Sequence, residues 1–334
     1  MSTEPHVDRE SEAQADTMTP RPVPRRLRQL RWRYWRGVLW RSVAGYIEDD
    51  CSDFAAAMTY QTFTALIPSL VVVVALINLV TDGSTVLTAT VSILDDLGLA
   101  SVVGNENLLS VVQALLVQQN SAKVLFGFGL LFALWSASGY VGAFTRASNR
   151  IYGVEEGRSW WLLQILEIAL AAVALVLLAA VGAGLVISGP LVDAVGDAIG
   201  AGETARTLWS IGRWPALVAI ATLVLSLLFW IAPNVRQPRF RWLTVGGTVA
   251  LLVWSLASFG FGLYVANFGS YNRTYGSLGA IMAFLVWIYL SNIAVLLGVQ
   301  VNAEVQRARL RQAGDEDPKT PLAPRLAPSG PGTS

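Results

Sequence analysis

The residues of this chain that could do chemistry are scarce, and most of them lie inside apolar runs. Glu167 is the one acid well within such a run, about two turns in from Trp160-Trp161, or ~10 Å at 1.5 Å per residue. A charged carboxylate at a bilayer centre costs ~2.5–3.5 kcal/mol on insertion scales, so this one must be protonated, paired or reached by water. The run AAAMTYQTFTALIP places Thr59, Tyr60, Gln61, Thr62 and Thr64 just before Pro68. Polar groups at that density must hydrogen-bond inside a bundle or line a wet cavity. Pro68 is expected to bend its helix and free a carbonyl one turn earlier. Glu167, Asp53, Thr59, Gln61, Thr62 and Pro68 are therefore the candidate cavity or gating residues. Asp53 also suits a helix N-terminus, and that role comes first.

Hydrolytic chemistry finds little to work with. A zinc nuclease needs several His and carboxylate ligands converging on the metal. This chain has one histidine, His6, in a polar tail, and one cysteine, Cys51. A single cysteine also excludes an internal disulfide framework and a multi-cysteine metal site. No Ser/His/Asp set, P-loop or dinucleotide fingerprint is present. Glu155-Glu156 is a paired carboxylate, but it sits in a loop beside Arg158 and reads as a solvated ion pair. The expectation is a chain with no catalytic residues, no metal and no cofactor, and not an enzyme.

The elements that must carry these residues are membrane helices. Of the 334 residues, 54% are hydrophobic and 14% charged, and the mean hydropathy is +0.50. A soluble domain would usually carry about 25% charged residues. The net charge of +1 argues against nucleic acid as a partner. The organising stretch is Tyr271–Glu304, apolar from Leu278 to Val301 except at Ser291, Asn292 and Gln300. It exceeds the ~20 residues a bilayer needs. Gly276, Gly279, Ala280 and Ala283 give the small-residue spacing that lets another helix approach closely.

Five further runs resemble it: about Asp53–Val80, Ala122–Phe144, Trp160–Ser188 (stopped by Gly189-Pro190), Trp214–Ala232 (Pro215 in its first turn) and Trp242–Ala266. The fold class is thus all-α, a polytopic bundle of six transmembrane helices over residues 48–311. Residues 1–24 and 312–334 read as disordered tails, the second Pro-rich. Residues 25–47 read as a basic amphipathic juxtamembrane helix, with Trp32, Trp35, Leu39, Val43 and Tyr46 on one stripe. The arginines from Arg25 to Arg41 suit anionic lipid headgroups, although a bare topology signal is the first explanation of them. Residues 81–121 form the longest loop, with short surface helices at Thr85–Leu97 and Leu108–Val117.

Lys and Arg set the orientation. Nine lie in the N-terminal segment, three in each of the loops 145–159 and 233–241, and five in the C-terminal tail. That is twenty on one side against four, Lys123, Arg206, Arg213 and Arg273, on the other. The split predicts a multi-pass membrane protein with both termini on the cytoplasmic side. Membrane lipids are the expected partners, with a second copy of the chain as a further candidate.

An internal echo accompanies the alternation. Asn149, Arg150, Tyr152 and Gly153 of NRIYG match Asn272, Arg273, Tyr275 and Gly276 of NRTYG, each a turn-like pentapeptide after the middle helix of one half. Either the halves form a 3+3 inverted repeat, as in many secondary transporters, or two loops share common turn residues by coincidence.

AAAMTYQTFTALIPSL, ASNRIYGVEEGRSWW, the APN at 232–234 and YGSLGAIMAFLVWIYLSNIAVLLGVQVNAE together resemble the YihY/BrkB-type bacterial inner-membrane proteins. The resemblance spans about residues 46–305. It implies an envelope or transport-type membrane protein of unsettled substrate, in a family with an old ribonuclease BN label and an association with virulence. It carries no agreed catalytic residue onto this chain. From the residues themselves two functions stay open: a transport-like permease handling an uncharged or amphipathic substrate, and a structural or assembly protein of the envelope.

Overall fold

Long apolar runs with few breakers satisfy their backbone only by closing it on itself, and helices do this within one segment. A computed structural model of the chain describes residues 30–78, 122–198, 202–237, 244–266, 272–314 and 322–327. Among these residues it has seven helices: α1 Trp32–Glu48, α2 Cys51–Asn78, α3 Ala122–Tyr152, α4 Trp160–Ala198, α5 Gly202–Ile231, α6 Val245–Ala266 and α7 Asn272–Ala313. Three stretches are long and apolar enough to cross a membrane: Trp160–Val181, Val245–Val265 and Ile281–Ala313. The N-terminal tail with His6 and the whole 81–121 loop with its expected surface helices lie outside the described residues.

Two helix boundaries differ from the sequence reading. Gly189-Pro190 does not stop α4, which runs on to Ala198, and Pro215 lies in the interior of α5 and not in its first turn. A proline withdraws one backbone donor, and a helix with strong formers on both sides can resume past it. Pro68 is likewise inside α2.

The six long helices alternate in direction. The ends of α3 and α5 meet where Asn149 accepts the Asn234 N–H, 2.7 Å. The α1–α2 corner joins α7 there, Gln300 donating to Asp49 at 2.8 Å. The α4 start and the α5 end meet through Arg158, and the α6 start meets α7 through Asn302. One end of the bundle therefore gathers the starts of α2, α4 and α6 with the finishes of α3 and α5 and the last turns of α7. It is also the arginine-rich end.

The core runs through this end. Ala55, Met58, Phe144, Ala147, Ile151, Phe229 and Leu296 pack in one cluster, with Phe144 and Phe229 stacked at 5.9 Å. Where α6 crosses α7 the backbones nearly touch, because a Cβ on Gly298 would stand 2.6 Å from the Gly246 carbonyl. Asn302 and Thr244 cap the start of α6 there, accepting from Gly246 N–H (2.8 Å) and Gly247 N–H (3.0 Å). On α1, Trp32, Leu39, Trp40, Val43 and Ile47 face outward. Trp35 and Tyr46, placed on the same stripe by the sequence reading, turn toward the bundle instead.

The halves are not alike in packing. α2 lies along α3, whereas α5 and α6, their counterparts in a 3+3 arrangement, touch only slightly.

Candidate functional site

The polar side chains of α2 find partners in the interior. Asn292 of α7, 3% exposed, donates from Nδ2 to Thr59 Oγ1 at 3.1 Å and accepts from the Tyr140 O–H at 3.3 Å. Thr59 in turn donates to the Ala55 carbonyl, 2.7 Å. Gln164 of α4 donates to Ser138 of α3 at 3.4 Å. The Glu167 carboxylate, on a residue 8% exposed, lies against bare backbone: a Cβ on Gly142 would stand 2.9 Å from each of its oxygens. Gln61 lies against Gly139 in the same way, its Oε1 2.6 Å from the position of a Cβ there. The small-residue face of α3 thus receives polar side chains from α2 and α4 as well as helix backbones. The cluster offers hydroxyls and amides that can exchange hydrogen bonds, with one carboxylate at its edge. It contains no nucleophile held by a base.

A second cluster ties the arginine-rich end. α3 stops at Tyr152 because Gly153 takes φ 67, and the bonds Val154 N–H to Asn149 carbonyl (3.0 Å) and Gly153 N–H to Arg150 carbonyl (3.1 Å) close the helix. That turn aims Glu156 back at Asn149, whose Nδ2 donates to it at 2.9 Å. Arg158, its side chain 5% exposed, bonds both Glu156 oxygens at 2.7 Å and reaches the Ala232 carbonyl at 2.6 Å. Burial works against the Glu156 charge, but the Arg158 side-chain and backbone bonds, its positive charge and the Asn149 amide outweigh it and hold this carboxyl below the usual range. Glu304 of α7 is bonded by Arg307 and Arg311 at 3.0 and 2.9 Å, and Arg307 donates onward to the Ile151 carbonyl, 2.7 Å. Asp49 is pushed up by burial, against the pull of Gln300 and Arg307. An open pocket of about 390 Å³ lies beside it, lined in part by Glu48, Asp49, Asn149, Arg150 and Glu155.

The elements that meet at this end, the 147–161 turn, the APN at 232–234 and the polar finish of α7, are conspicuous in the sequence, and comparison with known proteins supplies their context. A family model described as virulence factor BrkB matches residues 42–322. The chain belongs to the BrkB family. It is 32% identical over 227 residues to a putative ribonuclease-like protein, YfkH, of Bacillus subtilis (67% of this chain, 81% of that one). It is 30% identical to UPF0761 membrane proteins of Alkalilimnicola ehrlichii and Rhodospirillum centenum, over 80% and 84% of this chain. The matches span only 58% and 60% of those two relatives' own length. No solved structure matches.

Within this BrkB-family chain the residues singled out in the sequence fall into separate places. Thr59, Gln61 and Glu167 join the interior cluster. Thr62 bonds the Met58 carbonyl of its own helix at 2.9 Å, and Asp53 is exposed in the first turn of α2. Pro68 lies two and a half turns beyond Thr59, ~14 Å along α2. Glu156 is not a solvated partner of Arg158: the pair is buried on the arginine side. Asn149, Tyr152 and Gly153 finish α3, while Arg150 stands 3.9 Å from Asp50 across the surface. Asn272, Arg273, Tyr275 and Gly276 are not the equivalent turn; they begin α7, six residues after α6 has ended, and their side chains lie outside the described residues. One pentapeptide closes a helix and the other opens one.

Several participants were not singled out from sequence. Tyr140, Gln164 and Asn292 are polar interruptions of apolar runs, which was the available signal. Asn234, 0% exposed, gave none beyond its place in APN. The C-terminal segment is the largest departure: residues 322–327, expected to be disordered, lie on the bundle with Leu322 5% exposed.

Proposed function

We propose that this BrkB-family chain is a six-span protein of the bacterial cytoplasmic membrane, with both termini cytoplasmic, that works as a permease for an uncharged or amphipathic substrate. The observation that carries the reading is the interior polar cluster around Asn292. Thr59, Tyr140 and Asn292 come from three different helices, and buried polar groups that bond across helix contacts in a membrane bundle also line substrate or water paths. Amides and hydroxyls, with a single acid, suit a solute that carries no fixed charge. The alternation of the six long helices supports six crossings. The outward Trp32, Leu39, Trp40, Val43 and Ile47 of α1, with Arg36 and Arg41 beside them, support a helix lying on an anionic leaflet.

The ribonuclease-like name of the Bacillus relative has little to build on here. One histidine cannot supply a multi-imidazole metal site, and we read the chain as non-enzymatic.

A structural or assembly role is the second reading. It is favoured by the close fit of Gly139 against Gln61, Gly142 against Glu167 and Gly246 against Gly298, which marks tight helix packing. Purified protein in liposomes, tested with a panel of lipids and small neutral solutes, decides between them. Transport predicts flux that falls at least tenfold in Asn292→Leu and changes in Glu167→Gln, with both variants inserting normally. Absence of flux across the whole panel, or flux indifferent to both changes, refutes the permease.

A further inference from the structure

Residues 322–327, Leu-Ala-Pro-Arg-Leu-Ala, cross the arginine-rich end as an extended segment paired with residues 234–236. Arg325 N–H donates to the Asn234 carbonyl at 3.0 Å, and Arg236 N–H to the Ala323 carbonyl at 2.9 Å. These bonds bracket Val235 and Pro324, which face each other as an antiparallel bridge. A pair bracketed in this way exchanges no N–H···O bond of its own, so a proline there withdraws nothing. The Asn234 side chain completes the pairing, donating to the Leu326 carbonyl (2.8 Å) and accepting from its N–H (3.0 Å). Leu322 enters the core and its N–H donates to the Tyr152 carbonyl, 3.3 Å. Arg325 donates to the Trp230 carbonyl at 3.1 Å with its guanidinium 5.9 Å from the Trp230 ring. Beneath the segment Gly157 has no room for a Cβ, because the Leu326 carbonyl occupies it.

We propose that the surface made by Tyr152, Gly157 and residues 230–236 is a docking groove for an extended Leu-x-Pro-Arg segment, which the chain's own residues 322–327 fill in cis as a releasable latch. The recognition is strand addition: main-chain bonds give the hold, and a socket for Leu322 with the Trp230 carbonyl and ring for Arg325 gives the selectivity. The short tether 315–321 keeps the segment at a local concentration in the mM range, so weak contacts suffice to close it. One buried leucine and six hydrogen bonds stand against the entropy of ordering the segment, and Ala323, Arg325, Leu326 and Ala327 remain exposed. That balance lets the latch leave and return. Its departure uncovers Val235 and Asn234, both 0% exposed, at the junction of the ends of α3, α4 and α5.

The bracketed pair supplies the test. Its Cα atoms should stand ~4.5 Å apart, within disulfide reach. In full-length protein with Cys51→Ala, oxidation of Val235→Cys/Pro324→Cys should link the two positions within one chain. The link is read as a C-terminal fragment retained after cutting at a protease site inserted next to Lys319. Val235→Cys alone should react with a thiol reagent slowly but measurably, at least tenfold faster when combined with Leu322→Asp, and at an intermediate rate with Arg325→Ala, both variants staying folded and monodisperse. No link, or a link only between chains, overturns the docking in cis. Equal labelling rates overturn the groove. A Val235→Cys thiol that never reacts, or a bundle that unfolds with Leu322→Asp, makes the segment part of the core and overturns the latch.

Discussion

Replacing Arg158 by methionine keeps an apolar stem and removes the guanidinium fork that joins α4 to the end of α5. The fork makes two bonds of 2.7 Å to Glu156 and one of 2.6 Å to the Ala232 carbonyl, from a side chain 5% exposed. Deleting one partner of a buried ion pair typically costs ~3–5 kcal/mol, because the other charge is left without compensation. The Glu156 side chain is 25% exposed and keeps the Asn149 amide and the Arg158 N–H, so it can rehydrate, and the lower end of that range applies. The orphaned Ala232 carbonyl adds about 1 kcal/mol. The expected loss is therefore about 3–4 kcal/mol, read as a shift of the unfolding midpoint in mixed micelles of mild detergent and SDS.

The pH profile separates this account from simple loss of packing. Glu156 has a depressed carboxyl pKa in the folded chain. Its contribution is complete above the ordinary glutamate value of 4.5 and is lost as pH falls through the depressed folded value. Wild-type protein should lose stability on that acid side. Arg158→Met should lose most of that dependence, since burial alone would push the carboxyl up. Arg158→Lys should fall between, keeping the charge but not the fork. A methionine variant within 1 kcal/mol of wild type at pH 7, with the same acid slope, would refute the reasoning.

Gly142→Ala should destabilise by ~1–3 kcal/mol even though alanine is the better helix former, because its methyl would stand 2.9 Å from both Glu167 oxygens. Adding Glu167→Ala should recover part of the loss in the same unfolding assay, and a Gly142→Ala variant more stable than wild type would dismiss the close approach. Cysteines introduced one at a time into the 81–121 loop of a Cys51→Ala chain should label from outside intact cells, and cysteines at 236–241 should not. The reverse pattern would invert the proposed orientation.

The helices were legible because apolar length is a strong signal, and their alternation because arginine separates so cleanly. The boundaries were less so. Pro190 looks like a terminator in sequence and Pro215 like a first-turn residue, but a proline breaks one bond of a long ladder and the flanking residues carry the helix past it. The interior cluster was half visible. The polar run of α2 named Thr59 and Gln61, yet it could not say that Thr62 would turn back onto its own Met58 carbonyl, a choice that only neighbouring helices settle. The echo misled because five residues fix a composition and not a conformation. NRIYG ends a helix through the positive φ of Gly153, and NRTYG starts one. The 322–327 segment was read as disordered from its prolines. Pairing instead depended on Pro324 falling opposite Val235 at the position that needs no donor, a register no composition can express.

The arginines join topology to fold. Lys123 and Lys319 are the only lysines, so the basic split is almost wholly arginine. A positive-inside bias needs only charge, and lysine supplies it as well. What lysine cannot do is what Arg158, Arg307 and Arg325 do here: reach the last carbonyls of α5, α3 and α5 respectively, the first two while binding a carboxylate as well. In an alternating bundle each end holds helix finishes as well as starts, and the carbonyls of the finishes carry partial negative charge. Arginines gathered where α3, α5 and α7 finish therefore meet last carbonyls that no helix partner can satisfy. On the proposed orientation, arginines that would orient the chain also close its helices, and charge-preserving replacement by lysine is the change that separates the two roles.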